Sequence, residues 1–130
     1  MMKKILILDI KNGNLNSLYN IVRKKIKKNV TVSGSKRDIQ SATHIIFPGV
    51  GAYSEVMRKL NKNICVKTLE NNILNKKKPF LGICLGMQIL SKIGLEEKKT
   101  NGLDLIDGKV VSLYSSPNKR FSHVGWNEIQ

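Results

Sequence analysis

The stretch Gly82-Ile83-Cys84-Leu85-Gly86 carries the clearest candidate for covalent chemistry in this chain. A free cysteine in an apolar run is ordinarily a small buried hydrophobe. Glycines two residues to either side of the sulfur change that reading. Gly-x-nucleophile-x-Gly is the pattern of a nucleophile elbow, here with a thiol in place of a hydroxyl. A tight strand-to-helix turn would push Cys84 out of a sheet in a strained conformation. Side chains at positions 82 and 86 would clash there, so both must be nearly absent. The following helix would direct its first N–H groups and partial positive charge at the sulfur, which favours thiolate. The amide of Leu85 would lie where an oxyanion can form. Cys65, in "NICVKTL", lacks this setting and reads as a structural cysteine in a helix.

A second glycine loop, Pro48-Gly49-Val50-Gly51-Ala52, follows an apolar run. Gly-x-Gly alone is a weak signal. At the carboxyl end of a strand beside the elbow, its backbone N–H groups could approach a substrate or an anionic intermediate closely. A phosphate loop fits less well, because neither the Gly-Lys-Ser/Thr ending nor the third glycine of a dinucleotide fingerprint is present. A cysteine nucleophile also needs a base, usually histidine. The chain has two histidines. His44 precedes the strand-like "IIFPG" and so falls at the wrong end of a sheet. His123 lies in the terminal "SHVGW". Neither shows a base geometry. The two widely spaced cysteines form no zinc signature, so no metal is expected.

The elements that must position these residues alternate. Residues 3–9, 29–34, 43–49 and 79–84 read as strands, the second of them an edge strand. Leu15, Leu18, Tyr19, Val22 and Ile26 recur at helical spacing, with Asn14 or Asn16 available as cap. Residues 52–75 read as one or two helices broken near 61–63. Residues 85–94 read as a short helix ending at Gly94. This is the pattern of an α/β fold with an open, mostly parallel sheet and helices on both faces. Asp107-Gly108 between apolar runs predicts a C-terminal β-hairpin. Residues 120–130 predict a further strand, and the chain then stops as if cut short.

At 130 residues and 41% hydrophobic, the chain makes one domain with a real core. No apolar run is long enough to span a membrane. "MMKKILILDIKNG" reads better as a first strand than as a signal peptide, because Asp9 interrupts its apolar part. Without an export signal the expected compartment is the cytoplasm, where thiols stay reduced. The net charge of +14, from 23 Lys+Arg against 9 Asp+Glu, invites a nucleic-acid reading. The lysines instead cluster near helix ends, where the helix dipole favours cations, and few aromatics lie among them. Nucleic-acid binding is therefore not expected.

"FPGVGAY" followed by "PFLGICLGMQIL" resembles the class I glutamine amidotransferases. "LDIKNGNLNSL", "GLEEKKTNGLDLIDGKV" and "SHVGWNEI" narrow the resemblance to the glutaminase subunits of imidazole glycerol phosphate synthase. It runs through essentially all 130 residues. It implies that Cys84 attacks the side-chain amide of glutamine, releases ammonia and leaves a glutamyl thioester for water to hydrolyse. Leu85, Val50 and Gly51 would supply oxyanion N–H groups. Gly49, Gly51, Gln88 and Glu96 would hold the substrate, with Glu96 on its α-ammonium. Asn14, Ser17 and Trp126 would face a cyclase subunit of (β/α)8-barrel type in a heterodimer, and no cofactor is implied.

Three departures stand out. The family's Asp-Tyr-Gly is Asp9-Ile10-Lys11 here, so that loop is expected to differ in shape. The family's Pro-His before Gly-Trp-Asn is Ser122-His123. Third, residues 1–130 are expected to be a type 1 amidotransferase domain lacking the segment with the triad His and Glu. His123 matches a different family position from that base. Two other readings of the resemblance are a non-catalytic remnant or paralogue that keeps partner binding, and ammonia supply for surface-sugar amidination.

Overall fold

The computed structural model describes residues 2–26, 29–113 and 128. Four strands, β1 (Ile5–Leu8), β2 (Val30–Ser33), β3 (His44–Gly49) and β4 (Phe80–Cys84), form a parallel sheet in the order β2-β1-β3-β4. All four residues of β1 are buried. That explains its unbroken apolar run, since a strand covered on both faces has no polar side to alternate with. β2 lies at the edge, as its sequence predicts.

α1 (Asn16–Ile26) covers one face of the sheet. Its Leu18, Tyr19 and Val22, with Leu15 just before it, pack on Ile5, Ile7, Val30 and Ile46. The Asn14 side chain accepts from the Asn16 N–H at 2.9 Å and so helps start this helix. α2 (Lys36–Ser41), α3 (Tyr53–Asn63) and α4 (Val66–Leu74) cover the other face. There Leu6, Leu8, Ile45 and Phe47 meet Ile39, Val56, Leu60 and Leu69 in the main core. Each of these large side chains contributes roughly 1.5–3 kcal/mol by leaving water.

α2 has no counterpart among the elements expected from sequence. Its signal is Ser35-x-x-Asp38, a capping pattern. Ser35 Oγ accepts from the Asp38 N–H at 3.1 Å and donates to the Asp38 carboxylate at 2.8 Å. The hydroxyls of Ser33 and Ser35 hold the Asp38 carboxyl below its ordinary value. The break between α3 and α4 falls at Ile64-Cys65, close to the expected place. Cys65 is therefore not inside a helix. It is exposed and precedes the first turn of α4.

A second, three-stranded sheet follows α5 (Leu85–Gln88): β5 (Ser91–Gly94) lies between β6 (Thr100–Asn101) and β7 (Ile106–Val110). Two expectations are corrected here. The helix over 85–94 stops at Gln88, and its second half is β5. The hairpin at Asp107-Gly108 does not form, since both residues lie inside β7, which runs parallel to β5. Ser91 pairs with Ile106 but Ile93 with Lys109, so β7 carries one extra residue at this point. The Asp-Gly pair makes a bulge rather than a turn. The antiparallel pair in this region is β5 with β6, joined through residues 95–99. Tyr53 ties the second sheet to the main core: its hydroxyl lies 3.1 Å from Ser91 Oγ, and its ring packs on Gly94. The strand expected over 120–130 lies outside the described residues.

Candidate active site

β3 and β4 are neighbours, and their last residues, Gly49 and Cys84, are directly paired. The two glycine loops therefore emerge side by side at the carboxyl end of the sheet, where open α/β sheets place their ligands. Cys84 is exposed. Its backbone sits at φ 54°, ψ −119°, outside the regions that side-chain-bearing residues favour.

Close packing around the elbow enforces this geometry. A Cβ on Gly82 would come within 2.6 Å of the Met87 Cα, and one on Gly86 would run into the Phe47 carbonyl oxygen. A Cβ on Gly49 would lie 2.6 Å from the Gly86 nitrogen. All three glycines thus let β3, β4 and α5 approach at backbone distance. α5 is a single turn, so it presents few N–H groups and a smaller dipole than the ten-residue helix expected from sequence.

Leu85 is the first residue of α5 and directly follows the sulfur-bearing residue. Val50 and Gly51 continue β3 into an exposed loop, and Gly51 takes φ 99°. Gln88 ends α5, and its Oε1 is buried without a donor among the described residues. The same is true of Asn72 Oδ1 in α4, so this feature does not single out Gln88. Glu96 is exposed just beyond β5, and its carbonyl accepts from Ser112 Oγ at 3.5 Å. It belongs to the loop between β5 and β6. Asn14 and Ser17 are exposed at the start of α1, at the same end of the sheet as Cys84. Trp126 and His123 lie outside the described residues.

His44 opens β3, paired with Ile5, and its Nδ1 lies 2.9 Å from Thr43 Oγ1. Five residues of extended strand separate it from Gly49, roughly 16 Å at the usual rise. It is at the opposite end from Cys84, as its sequence position predicts.

Three residues that no motif singles out also meet at this end of the sheet. Asn12 Nδ2 donates to the Val50 carbonyl at 2.6 Å. Lys59 Nζ donates to Asn12 Oδ1 at 2.7 Å and lies 3.5 Å from Glu55. Hydrogen bonding from Arg58 pulls the Glu55 carboxyl down to about 2, with the Arg58 and Lys59 charges adding to the effect. Lys11 shows how a lysine is accommodated where the family has glycine. It takes φ 62°, a conformation glycine enters freely, and both its N–H and its ammonium bond Asp9, at 2.7 and 2.9 Å. Asn12 could have been flagged in the sequence only through its position in the loop after β1, and Glu55, Arg58 and Lys59 carry no motif on α3.

A strained, solvent-facing thiol at the end of a parallel strand, flanked by two glycine loops, defines a nucleophilic α/β site. The family model "Glutamine amidotransferase class-I" matches residues 6–128. The chain belongs to the class-I glutamine amidotransferase family. It is 37% identical to imidazole glycerol phosphate synthase subunit HisH 1 of Campylobacter jejuni strain 81-176, over 97% of this chain and 62% of that protein. It is 39% identical to subunit HisH 2 of Vibrio vulnificus YJ016, over 97% of this chain and 59% of the relative. For the HisH subunit of Listeria monocytogenes EGD-e the values are 40%, 97% and 60%. The chain thus spans about three-fifths of the length of these curated relatives. Among solved structures, a protein described as peptidase E from Listeria monocytogenes EGD-e superposes with a TM-score of 0.62 at 12% identity. That match covers 81% of this chain and 63% of the other, and it shows the shared fold alone.

Proposed function

We propose that this chain is the thiol-bearing part of a cytoplasmic glutaminase. The enzyme would feed ammonia to a (β/α)8-barrel cyclase subunit that makes imidazole glycerol phosphate in histidine biosynthesis. The observation that carries the reading is Cys84, exposed at positive φ and paired with Gly49 across two parallel strands. The HisH relatives supply the reaction and the partner by similarity.

In this reading the Cys84 thiolate adds to the side-chain amide carbon of glutamine. The Leu85 N–H and the Gly49-Val50-Gly51 backbone meet the oxygen as it gains charge. Collapse expels ammonia once the leaving nitrogen has gained a proton, and water then releases glutamate from the thioester. Gln88 and Glu96 hold the amino-acid end of the substrate. Asn14 and Ser17 lie toward the cyclase, the partner to which the family resemblance also assigns Trp126.

The proton shuttle comes from outside the described residues, because the one histidine among them, His44, is at the wrong end of the sheet. We place it in the part of the relatives' length that this chain does not span. A thiol without its base loses several orders of magnitude in rate. The 130-residue chain by itself should therefore release ammonia from glutamine at less than about a thousandth of the rate of an intact relative. A chimera in which this chain replaces the matching three-fifths of the Campylobacter jejuni relative should hydrolyse glutamine when that relative's cyclase is added. Cys84→Ala should abolish this activity. A folded chimera no more active than its Cys84→Ala form would overturn the proposal.

A further inference from the structure

Resting on the glutaminase reading, we propose that Ser54 is a positioning residue: by anchoring Glu97 it fixes the loop that offers the neighbouring Glu96 to the substrate's α-ammonium. Two carboxylates, Glu96 and Glu97, stand side by side in residues 95–99, which join β5 to β6. Glu97 is tied down. Ser54 Oγ donates to Glu97 Oε2 at 3.1 Å, across 43 residues of sequence. An ionised carboxylate only accepts, so the hydroxyl is the donor. Among the described residues the Glu96 carboxylate takes part in no ion pair, which leaves it able to accept a cation.

The place of Ser54 gives this bond its consequence. Tyr53 and Ser54 open α3, which follows the glycine loop after β3, and the last residue of β3 is paired with Cys84. Tyr53 is buried, its hydroxyl lies 3.1 Å from Ser91 Oγ, and its ring packs so closely on Gly94 that a Cβ there would clash. Tyr53 thus holds the chain before Glu96, and Ser54 holds it after. β7 fixes the backbone of the same segment: the Leu95 N–H donates to the Val110 carbonyl at 2.8 Å, and Ser112 Oγ to the Glu96 carbonyl at 3.5 Å. The Ser54–Glu97 bond is, among the described residues, the one hydrogen bond between residues 95–99 and α3. The positive end of this eleven-residue helix also favours an anion at Glu97. Without the hydroxyl the loop gains freedom, and a ligand must order it at its own cost in affinity.

The test uses the 130-residue chain and two chloromethyl ketones, 2-amino-5-chloro-4-oxopentanoic acid and 5-chloro-4-oxopentanoic acid, which differ only in the α-amine. With either, the Cys84 sulfur displaces chloride from the CH2 carbon. A C–S bond forms, the C–Cl bond breaks, and the thiol proton passes to water. Labelling of Cys84 is followed by peptide mass spectrometry over a range of reagent concentrations, which separates affinity from the maximal rate.

Ser54→Ala should lower affinity for the amino reagent about fivefold, the size of one hydrogen bond's net contribution. The maximal rate, and all labelling by the reagent without the amine, should stay unchanged. Ser54→Thr keeps the hydroxyl and should restore wild-type affinity. In a Glu97→Ala background Ser54→Ala should add nothing. A Ser54→Ala chain with wild-type affinity for the amino reagent overturns the positioning role and leaves the glutaminase reading intact. An equal loss with both reagents shows a merely structural role and also overturns it, as does a loss that persists in the Glu97→Ala background. A wild-type chain that does not prefer the amino reagent, or reacts with neither, overturns the glutaminase reading and this proposal with it.

Discussion

At the scale of the residue, the site is defined by what is missing around the sulfur. Gly82 and Gly86 face backbone atoms that cannot move aside, so even a methyl group is too large. Gly86→Ala should destabilise the fold by about 3 kcal/mol, the upper end for overpacking, because a carbonyl oxygen cannot rotate away as a side chain can. Chemical denaturation checks this; a Gly86→Ala midpoint equal to wild type contradicts the packing described. Cys65 is the instructive contrast. Its sulfur accepts from the Thr68 hydroxyl at 3.1 Å, and the Thr68 hydroxyl and N–H hold its thiol below the ordinary value. Both cysteines are exposed, so exposure and simple alkylation do not separate them. What separates them is the pair of glycine loops, and that much was legible in the spacing of residues 82–86. The placement of Asn12 was not, because it rests on two partners 38 and 47 residues away.

At the scale of the element, local sequence set the sheet and helix pattern, and distant partners overrode it in the second sheet. Residues 85–94 have helical spacing. However, the Leu90 carbonyl accepts from the N–H groups of Leu105 and Ile106, at 2.9 Å each, and the Ile89 carbonyl accepts from Leu103. Those partners lie beyond any local window, so β5 could not be read in advance. Asp107-Gly108 failed for the same reason: turn chemistry was recruited for a bulge.

α3 carries its own prediction. The folded Glu55 carboxyl lies at about 2, below its ordinary 4.5. Its contribution is therefore complete above about 4.5 and lost as pH falls through about 2. Glu55→Gln should melt slightly below wild type at pH 6, with the gap closing by pH 2. A gap that does not depend on pH would rule out the carboxylate's pairing with Arg58 and Lys59 as its source.

At the scale of the whole molecule, topology turns these local features into one site. The order β2-β1-β3-β4 brings the loops after β1, β3 and β4 to one end, each supplying a different part. The β1 loop gives Asn12, the β3 loop gives Val50 and Gly51, and β4 gives Cys84. The excess positive charge has structural uses. Arg23, Lys24 and Lys25 occupy the last turn of α1. Lys78 donates to the Ile39 and Gln40 carbonyls near the end of α2, at 3.1 and 2.8 Å, and burial lowers its pKa. Such placement suits helix C-termini. No helix among the described residues is long and apolar enough to cross a membrane. On the α1 face, Leu81 and Ile83 of β4 remain exposed, because α1 reaches only β1, β2 and Ile46.

Under the proposed glutaminase function, the Cys84 thiol meets glutamine-shaped molecules and not merely solvent. Exposing the chain to a chloromethyl-ketone analogue of glutamine and mapping the adduct by peptide mass spectrometry tests this most directly. Cys84 should be alkylated ahead of Cys65, and excess glutamine should slow labelling at Cys84 alone. Equal labelling of both cysteines, or labelling that glutamine leaves untouched, would contradict the account.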